Sequence, residues 1–144
     1  MFSHRYTHSV EIKAPPPAVW RVVSDLSRLP EWYFPCQRVE SYDAGPLRPG
    51  SQFVLWIRTA TGVELRAPGE ILEVEPEHLL KWRGQTSGIA ATATWRLTPQ
   101  NSGTVLTHEF AGGGWMMFLS VLTGSAPKTA QRRLDGLKRV LEGG

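Results

Sequence analysis

Apolar and polar residues alternate over residues 5–13, and this period of two predicts a strand with one face in the core. Three prolines follow at 15–17. Because a residue before a proline is kept out of the helical region, they predict an extended corner. Beyond it, apolar residues recur at the spacing of an amphipathic helix over 17–26, and Asp25 or Ser27 is placed to cap a second short helical turn.

Six further strands are predicted between residues 39 and 111, separated by short turns rich in Gly, Pro and polar residues. Short turns between successive strands are typical of an antiparallel meander, so the sheet has seven strands when the first is included. The strand over 63–74 contains Pro68-Gly69, which predicts a bulge or an edge that helps the sheet to curl.

The C-terminal region is predicted to be helical in two parts. Trp115–Leu122 is apolar nearly all round, and the residues from Gly124 to Pro127 break or kink the helix. Beyond the break, apolar residues form a core stripe at Leu134, Leu137, Val140 and Leu141. The basic residues of this region have the spacing of a solvated helix face: Lys128, Arg132, Arg133, Lys138 and Arg139. The order of elements predicts one α+β domain over residues 1–144.

Charge and composition exclude several classes of function. A net charge of +3 over 144 residues is far below that of a nucleic-acid-binding protein, so no nucleic-acid partner is predicted. Cys36 is alone and the four histidines show no ligand spacing, so neither a disulfide nor a metal site nor a cofactor is expected. The first ten residues lack an apolar segment, and the longest apolar run is too short to span a bilayer. A cytoplasmic protein without a transmembrane segment is therefore expected.

Several short motifs are informative as an ordered set. They are Ala14-Pro15 with Val19-Trp20, Asp25, Pro30-Glu31-Trp32, Gly50-Ser51, Val74-Glu75-Pro76, the strand residues Trp95, Leu97 and Pro99, the run Gly103-Thr104-Val105-Leu106-Thr107, and Leu137-Lys138 with Glu142. In order and spacing they resemble the START/polyketide-cyclase superfamily over almost the whole chain.

The resemblance implies a helix-grip fold. In that fold a curved, seven-stranded antiparallel sheet wraps around a long C-terminal helix, kinked in this chain, and two short helices follow the first strand. The first and last strands are neighbours, and the sheet and helix enclose an apolar cavity. Members of the superfamily bind lipids, polyketides, sterols or plant hormones, or assist chaperones. Function on such a scaffold depends on the residues that line the cavity.

The alternation within the strands predicts which side chains line that cavity. The strands contribute Tyr6, His8, Phe53, Leu55, Trp95, Leu106, His108 and Phe110, and the C-terminal region contributes Trp115, Leu119 and Leu122. The alternative is that these side chains fill the core and leave no ligand-sized space.

His8 and His108 are the candidate catalytic residues, because each lies on the apolar phase of its strand. A buried histidine acts as a general acid or base near neutral pH, or orients a ligand carbonyl. The alternative interpretation is a pair of core or rim histidines whose hydrogen bonds are satisfied within the protein.

Three functions remain open at this stage. The first is binding of a small hydrophobic or aromatic molecule such as a lipid, polyketide or isoprenoid. The second is a polyketide cyclase or dehydratase that uses a cavity histidine for proton transfer, and the third is an interaction module like the chaperone-activating members. Trp115–Leu122 lies between two Gly-rich breaks, so it is a candidate gate to the cavity, a contact in a possible homodimer, or ordinary core.

Overall fold

The computed structural model describes residues 3–33, 36–58, 62–86, 89–113 and 125–142. Within these ranges the chain forms seven strands: β1 (Ser3–Ile12), β2 (Cys36–Tyr42), β3 (Gln52–Arg58), β4 (Glu64–Glu75), β5 (Leu79–Thr86), β6 (Ile89–Gln100) and β7 (Gly103–Gly113). The α-helices of the same ranges are α1 (Pro16–Val23), α2 (Leu29–Trp32) and α3 (Ser125–Glu142), with a 3-10 turn at Leu26–Arg28.

The strands form one antiparallel sheet in the order β1-β7-β6-β5-β4-β3-β2. Every strand from β2 to β7 pairs with its neighbour in the chain, which confirms the predicted meander. β1 pairs with β7 along its whole length, so the first and last strands are neighbours as the resemblance implied. Together with the helices after β1 and at the C-terminus, this arrangement confirms the predicted helix-grip fold.

The irregularity in β4 lies later than predicted. Pairing with β3 continues without a shift through Pro68 and Gly69, whereas pairing with β5 shifts between Ile71 and Glu73. Of the two predicted alternatives at Pro68-Gly69, a bulge or an edge, the structure shows the edge, and the irregularity lies beyond it. β5 begins to pair only at Gly69, so β4 is a local edge at Pro68 and the missing N–H of the proline breaks no ladder bond.

The helix ends follow from local sequence. Pro15 is the extended N-cap residue of α1, and prolines in the first turn cost no hydrogen bond. Asp25 caps the 3-10 turn, because its Oδ1 accepts from the backbone N–H of Ser27 at 3.1 Å. α3 begins at Ser125, so three residues of the predicted break, 125–127, lie in its first turn, where a proline is tolerated, and Gly124 lies outside the described residues. The segment Trp115–Leu122 lies outside the described residues.

α3 packs against β1, β7 and α2. Leu134 and Leu137 of its predicted core stripe are fully buried. Near the end of the helix, the Lys138 ammonium donates to the Glu11 carbonyl at 2.7 Å, which ties α3 to β1. No helix in the described part of the chain is long and apolar enough to cross a membrane.

Gly136 permits the close approach of α3 and α2. A Cβ at this position would lie 2.8 Å from the backbone oxygen of Trp32 and 3.3 Å from its Cα. These are backbone atoms, so they cannot move aside as a flexible side chain would. The absence of a side chain at residue 136 therefore sets the distance between the two helices.

We expect Gly136→Ala to destabilise the protein, although alanine is favoured over glycine in a helix by about 1 kcal/mol. Overpacking costs about 1–3 kcal/mol, and the rigid backbone contact places this substitution in the upper half of that range, so a net loss of roughly 1–2 kcal/mol should appear in chemical denaturation. Gly84→Ala is the matched control, since the nearest atom to its new Cβ would be 3.7 Å away. An unchanged or higher stability of Gly136→Ala would contradict the close approach.

Candidate functional site

The sheet register aligns the inward-facing residues of neighbouring strands into rows. We call the first the histidine row; it contains His8, His108, Trp95 and Leu80. The second, the aromatic row, contains Tyr6, Phe110, Ala93, Trp82 and Ile71. The third, the small-residue row, contains Gly112, Ala91, Gly84 and Gly69 and ends at Phe53. Successive rows are two residues apart along each strand, or about 6.6 Å.

A cavity of about 710 Å³ lies along the small-residue row. All four small residues of the row and Phe53 belong to its wall. The Phe53 ring lies directly over Gly69, which has no side chain to displace it. Tyr42 is 49% exposed and stands at the cavity rim. The space exists because three glycines and an alanine occupy the inward positions of four adjacent strands.

The cavity does not reach the histidine row. Of the predicted ligand-binding residues that the structure describes, Phe53 alone belongs to the cavity wall. The others lie deeper in the fold: Trp95, Leu106 and His108 are fully buried, Leu55 is nearly so, and Tyr6, His8 and Phe110 are half-buried. Their inward orientation is confirmed, whereas their contact with a ligand stays a prediction. Trp115, Leu119 and Leu122 lie outside the described residues.

Aromatic rings fill the space between the sheet and the short helices. Trp95 lies at their centre, with its ring centroid 5.1 Å from that of Trp32 and 5.8 Å from that of Trp82. Tyr33 makes edge contacts with all three tryptophans, at centroid distances of 5.5 to 6.1 Å. Edge-to-face geometry is favourable for aromatic pairs and holds each ring in a defined orientation.

His108 stacks on Trp95, with ring centroids 3.7 Å apart and planes inclined by 4°. Its Nδ1 donates to the Thr94 carbonyl at 3.4 Å, so Nε2 carries the lone pair of the neutral ring. Burial lowers the pKa of His108 well below its usual value, and the positive charge of Arg133 lowers it further. The imidazole is therefore neutral at physiological pH.

Four buried side-chain nitrogens of this region lack a hydrogen-bond partner within the described part of the chain: His8 Nε2, Trp32 Nε1, Trp95 Nε1 and His108 Nε2. His8 lies directly opposite His108 across the β1–β7 pair. Neither ring nitrogen Nε2 is satisfied, in contrast to the sequence-based alternative of satisfied core histidines. Each unsatisfied buried polar group costs about 1–3 kcal/mol, so these four nitrogens work against the stability of this region.

The prediction that Arg133 lies on a solvated face is wrong. Its side chain is buried, with 7% of the residue exposed. The guanidinium carbon lies 4.3 Å from the ring centre of Tyr33 and 5.1 Å from that of Phe110, within range of cation–π attraction. Arg133 precedes Leu137 by one helical turn, so the two residues lie on the same face of the helix. That spacing indicated burial, whereas the prediction relied on the charge of Arg133 and placed it in solvent.

Cys36 does not contribute a reactive thiolate. It is buried, and its burial raises the pKa of the thiol to about 11. Among the residues that the structure describes, no three histidine, cysteine, aspartate or glutamate side chains are grouped as metal ligands would be. The described core therefore offers aromatic faces, indole N–H groups, the neutral imidazole of His108 and the buried guanidinium of Arg133, and the cavity wall adds Asp43 and the Arg83–Glu70 ion pair.

Comparisons with known proteins agree with this architecture. A sequence model of the family described as polyketide cyclase/dehydrase and lipid transport matches residues 3–142. A structure of a Chromobacterium violaceum protein is similar with a TM-score of 0.76 and 18% identity, over 96% of each chain. The Zhui aromatase/cyclase from Streptomyces sp. R1128 has a TM-score of 0.75 and 17% identity, over 99% of each chain. The search of curated proteins found no match.

The burial of neutral His108 predicts an acid-sensitive stability. The unfolded protein binds a proton at this residue below pH 6.5, whereas the folded protein resists protonation. The free energy of unfolding is therefore unaffected by His108 above pH 6.5. Below that pH it falls by up to about 1.4 kcal/mol per pH unit. Chemical denaturation at pH values between about 6.5 and 5 measures this loss of stability. Ordinary carboxylates titrate below that range, so they do not contribute to it.

His108→Phe keeps a ring against Trp95 and should remove this part of the pH dependence. His78→Gln is the control, because His78 is exposed in a turn and its replacement should leave the slope unchanged. Equal slopes in the wild-type protein and His108→Phe would show that His108 is not held neutral by the fold.

Proposed function

Because the chain belongs to the polyketide cyclase/dehydrase and lipid transport family, we propose that it binds a small apolar molecule, at least partly aromatic, in the cavity along the small-residue row. The observation that carries this proposal is the cavity itself. Its volume of about 710 Å³ is within the usual range of small-molecule sites, about 300–1,000 Å³. A sheet of rigid strands holds the space open before the ligand arrives.

Burial of apolar surface supplies most of the affinity. Along the small-residue row the pocket floor is formed by backbone and the Ala91 methyl group, which offer an apolar surface to a planar ring, and the polar side chains of Asp43, Glu70 and Arg83 stand in the surrounding wall. Phe53 stands at one end of the row, and its ring centroid is 5.7 Å from that of Trp82 in edge contact. At about 25 cal/mol per Å² of apolar area buried, a ligand of two or three rings gains several kcal/mol from this environment.

Native mass spectrometry of freshly purified protein, followed by solvent extraction, tests for a retained ligand. The same preparation is titrated with N-phenyl-1-naphthylamine, a neutral apolar dye whose fluorescence rises in an apolar environment. A bound apolar mass, or saturable dye uptake by the apo protein, supports the proposal. A clean apo mass with no dye uptake contradicts it and favours an interaction module that works through its surface.

Gly84→Leu should block the cavity without unfolding the protein. Gly84 has open space in the direction of a new side chain, so leucine extends into the cavity instead of into the core. We expect dye affinity to fall by about tenfold or more, as the ligand loses the apolar contact area of roughly one ring.

Thr98→Leu adds the same side chain at an exposed position of β6 and serves as the control. It should bind the dye as the wild-type protein does. Equal dye affinity in Gly84→Leu and wild-type protein, with both folded by circular dichroism, would exclude the small-residue row as the binding surface.

Catalysis of polyketide cyclisation or dehydration is a second candidate function, supported by the state of His108. Its ring is neutral, and the lone pair of Nε2 has no partner among the described residues, so it can accept a proton from a ligand carbon or hydroxyl group. The neutral ring can act as a base, but the burial that lowers its pKa also weakens it, and a ligand would have to pass the cavity wall to reach it.

If the protein is a cyclase, His108→Phe should lower turnover of a linear poly-β-ketone thioester by about 10²–10⁴-fold. Dye binding should be retained, because His108 lies behind the cavity wall. Product formation is followed by the absorbance and mass of the aromatic product. Equal turnover in the wild-type protein and His108→Phe would exclude His108 from the mechanism. No turnover in either of the two would favour a carrier.

A further inference from the structure

The Phe53 ring occupies the space that Gly69, which has no side chain, leaves free. The three outer ring carbons, Cε1, Cε2 and Cζ, would lie 3.0 Å or less from a Cβ at residue 69. The φ angle of Gly69 is not positive, so the backbone does not require glycine there. Because glycine within a strand weakens it, the position is explained by the room that it gives to the ring.

The ring is held in one place by its neighbours. Phe53 is 3% exposed, and its ring makes an edge contact with Trp82, with planes inclined by 73°. Trp82 is held in turn by Tyr33, with ring centroids 5.5 Å apart, and by Trp95, at 5.8 Å. A ring that packs against a buried aromatic cluster keeps a defined orientation. The Phe53 end of the small-residue row is therefore a rigid wall.

This wall shortens the open floor of the cavity by one strand. Neighbouring strands are about 4.8 Å apart, so the row from Gly112 on β7 to Gly69 on β4 is about 14 Å long. With the Phe53 ring over Gly69, the part that a ligand can cover ends at Gly84 on β5, about 10 Å from Gly112. Beyond the ring, the cavity wall continues with Tyr42, which lies opposite Phe53 on β2. The ring thus stands between the apolar floor and the exposed rim.

We propose that the Phe53 ring limits the length of the ligand, so that the cavity selects compact or bent ring systems over extended linear ones of the same composition. This inference rests on the proposed binding function. Packed interiors yield little to extra atoms, so a rigid ligand that reaches beyond Gly84 must displace the ring or leave part of itself in solvent. Both outcomes lower the affinity, whereas a shorter ligand of equal apolar area avoids them.

Two isomers that differ in length test this limit. N-phenyl-1-naphthylamine bound to the protein is displaced either by 4-hydroxy-m-terphenyl, whose three rings form a bend, or by 4-hydroxy-p-terphenyl, whose three rings are in line. Both carry the same rings and one hydroxyl group. We expect the bent isomer to displace the dye from the wild-type protein at a concentration about tenfold or more below that of the linear isomer. We call the ratio of the two concentrations the shape preference.

Phe53→Leu removes the outer ring carbons that lie over Gly69. The space above Gly69 then joins the open floor, so the linear isomer should bind more tightly and the shape preference should fall by about threefold or more. Phe53→Ala removes the ring entirely and should abolish the preference. Circular dichroism verifies the fold of both variants, because the loss of a nearly buried ring leaves a cavity that lowers stability.

Trp56→Leu is the matched control. It also replaces an aromatic ring of β3 by leucine, but Trp56 lies on the opposite face of the sheet, where its N–H donates to Glu40 at 2.9 Å. The shape preference of this variant should equal that of the wild-type protein. A fall as large as that in Phe53→Leu would show that the preference depends on β3 as a whole and would overturn the role of the Phe53 ring.

The outcomes separate this inference from the proposed function. Dye that is displaced equally by both isomers, or a shape preference that persists in Phe53→Leu and Phe53→Ala, overturns the length limit and leaves the cavity function standing. The comparison of the two isomers on the wild-type protein needs no variant, so it can overturn the limit even where a Phe53 variant does not fold. Absence of dye binding to the folded wild-type protein overturns the cavity function and this inference with it.

Discussion

The cross-strand register determines everything that lies on the concave face of the sheet. Side chains alternate between the two faces, so each inward residue has fixed neighbours on the adjacent strands. The register places His8 opposite His108 and His108 opposite Trp95, and four residues further along these strands it aligns the small-residue row. A shift of one residue would move these rows to the solvent face and abolish both the aromatic cluster and the cavity. The site therefore depends on the pairing of the strands more than on any single residue.

The polar atoms at the centre of the fold work against its stability. Aromatic edge contacts and buried apolar surface stabilise the region, but unpartnered indole and imidazole nitrogens cost free energy wherever water is excluded. Arg133 adds a buried charge, which the faces of Tyr33 and Phe110 stabilise by cation–π attraction of about 2 kcal/mol in a desolvated site. Apolar residues of the same size would avoid the desolvation cost of these polar groups. The core behind the cavity is therefore not optimised for stability alone.

The sequence could predict the strands, their antiparallel order and most inward-facing residues, because apolar alternation reports on them directly. Residues such as Trp95, Leu106 and His108 lie where that alternation places them. The cavity could not be located in the same way, since Gly84 and Gly112 have no side chain and contribute nothing to a hydrophobic pattern. Arg133 was missed because a charged residue on a helix is ordinarily solvated, and the packing of α3 against Tyr33 depends on the tertiary fold. At Pro68 the sequence left a bulge and an edge open, because the point where pairing with β5 ends is not encoded near the proline.

Affinity and selectivity would have separate physical origins in this site. The small-residue row offers apolar surface that accepts many ring systems, so it discriminates weakly among them. The indole N–H groups of Trp32 and Trp95 add nothing to this selectivity, because they are already shielded from water before any ligand binds and the cavity does not reach them. The cost of leaving those donors unmet, about 1–3 kcal/mol each, therefore falls on the stability of the fold and not on the ligand. Under the proposed function, selectivity comes instead from the outline of the cavity, which the Phe53 ring limits at one end of the row.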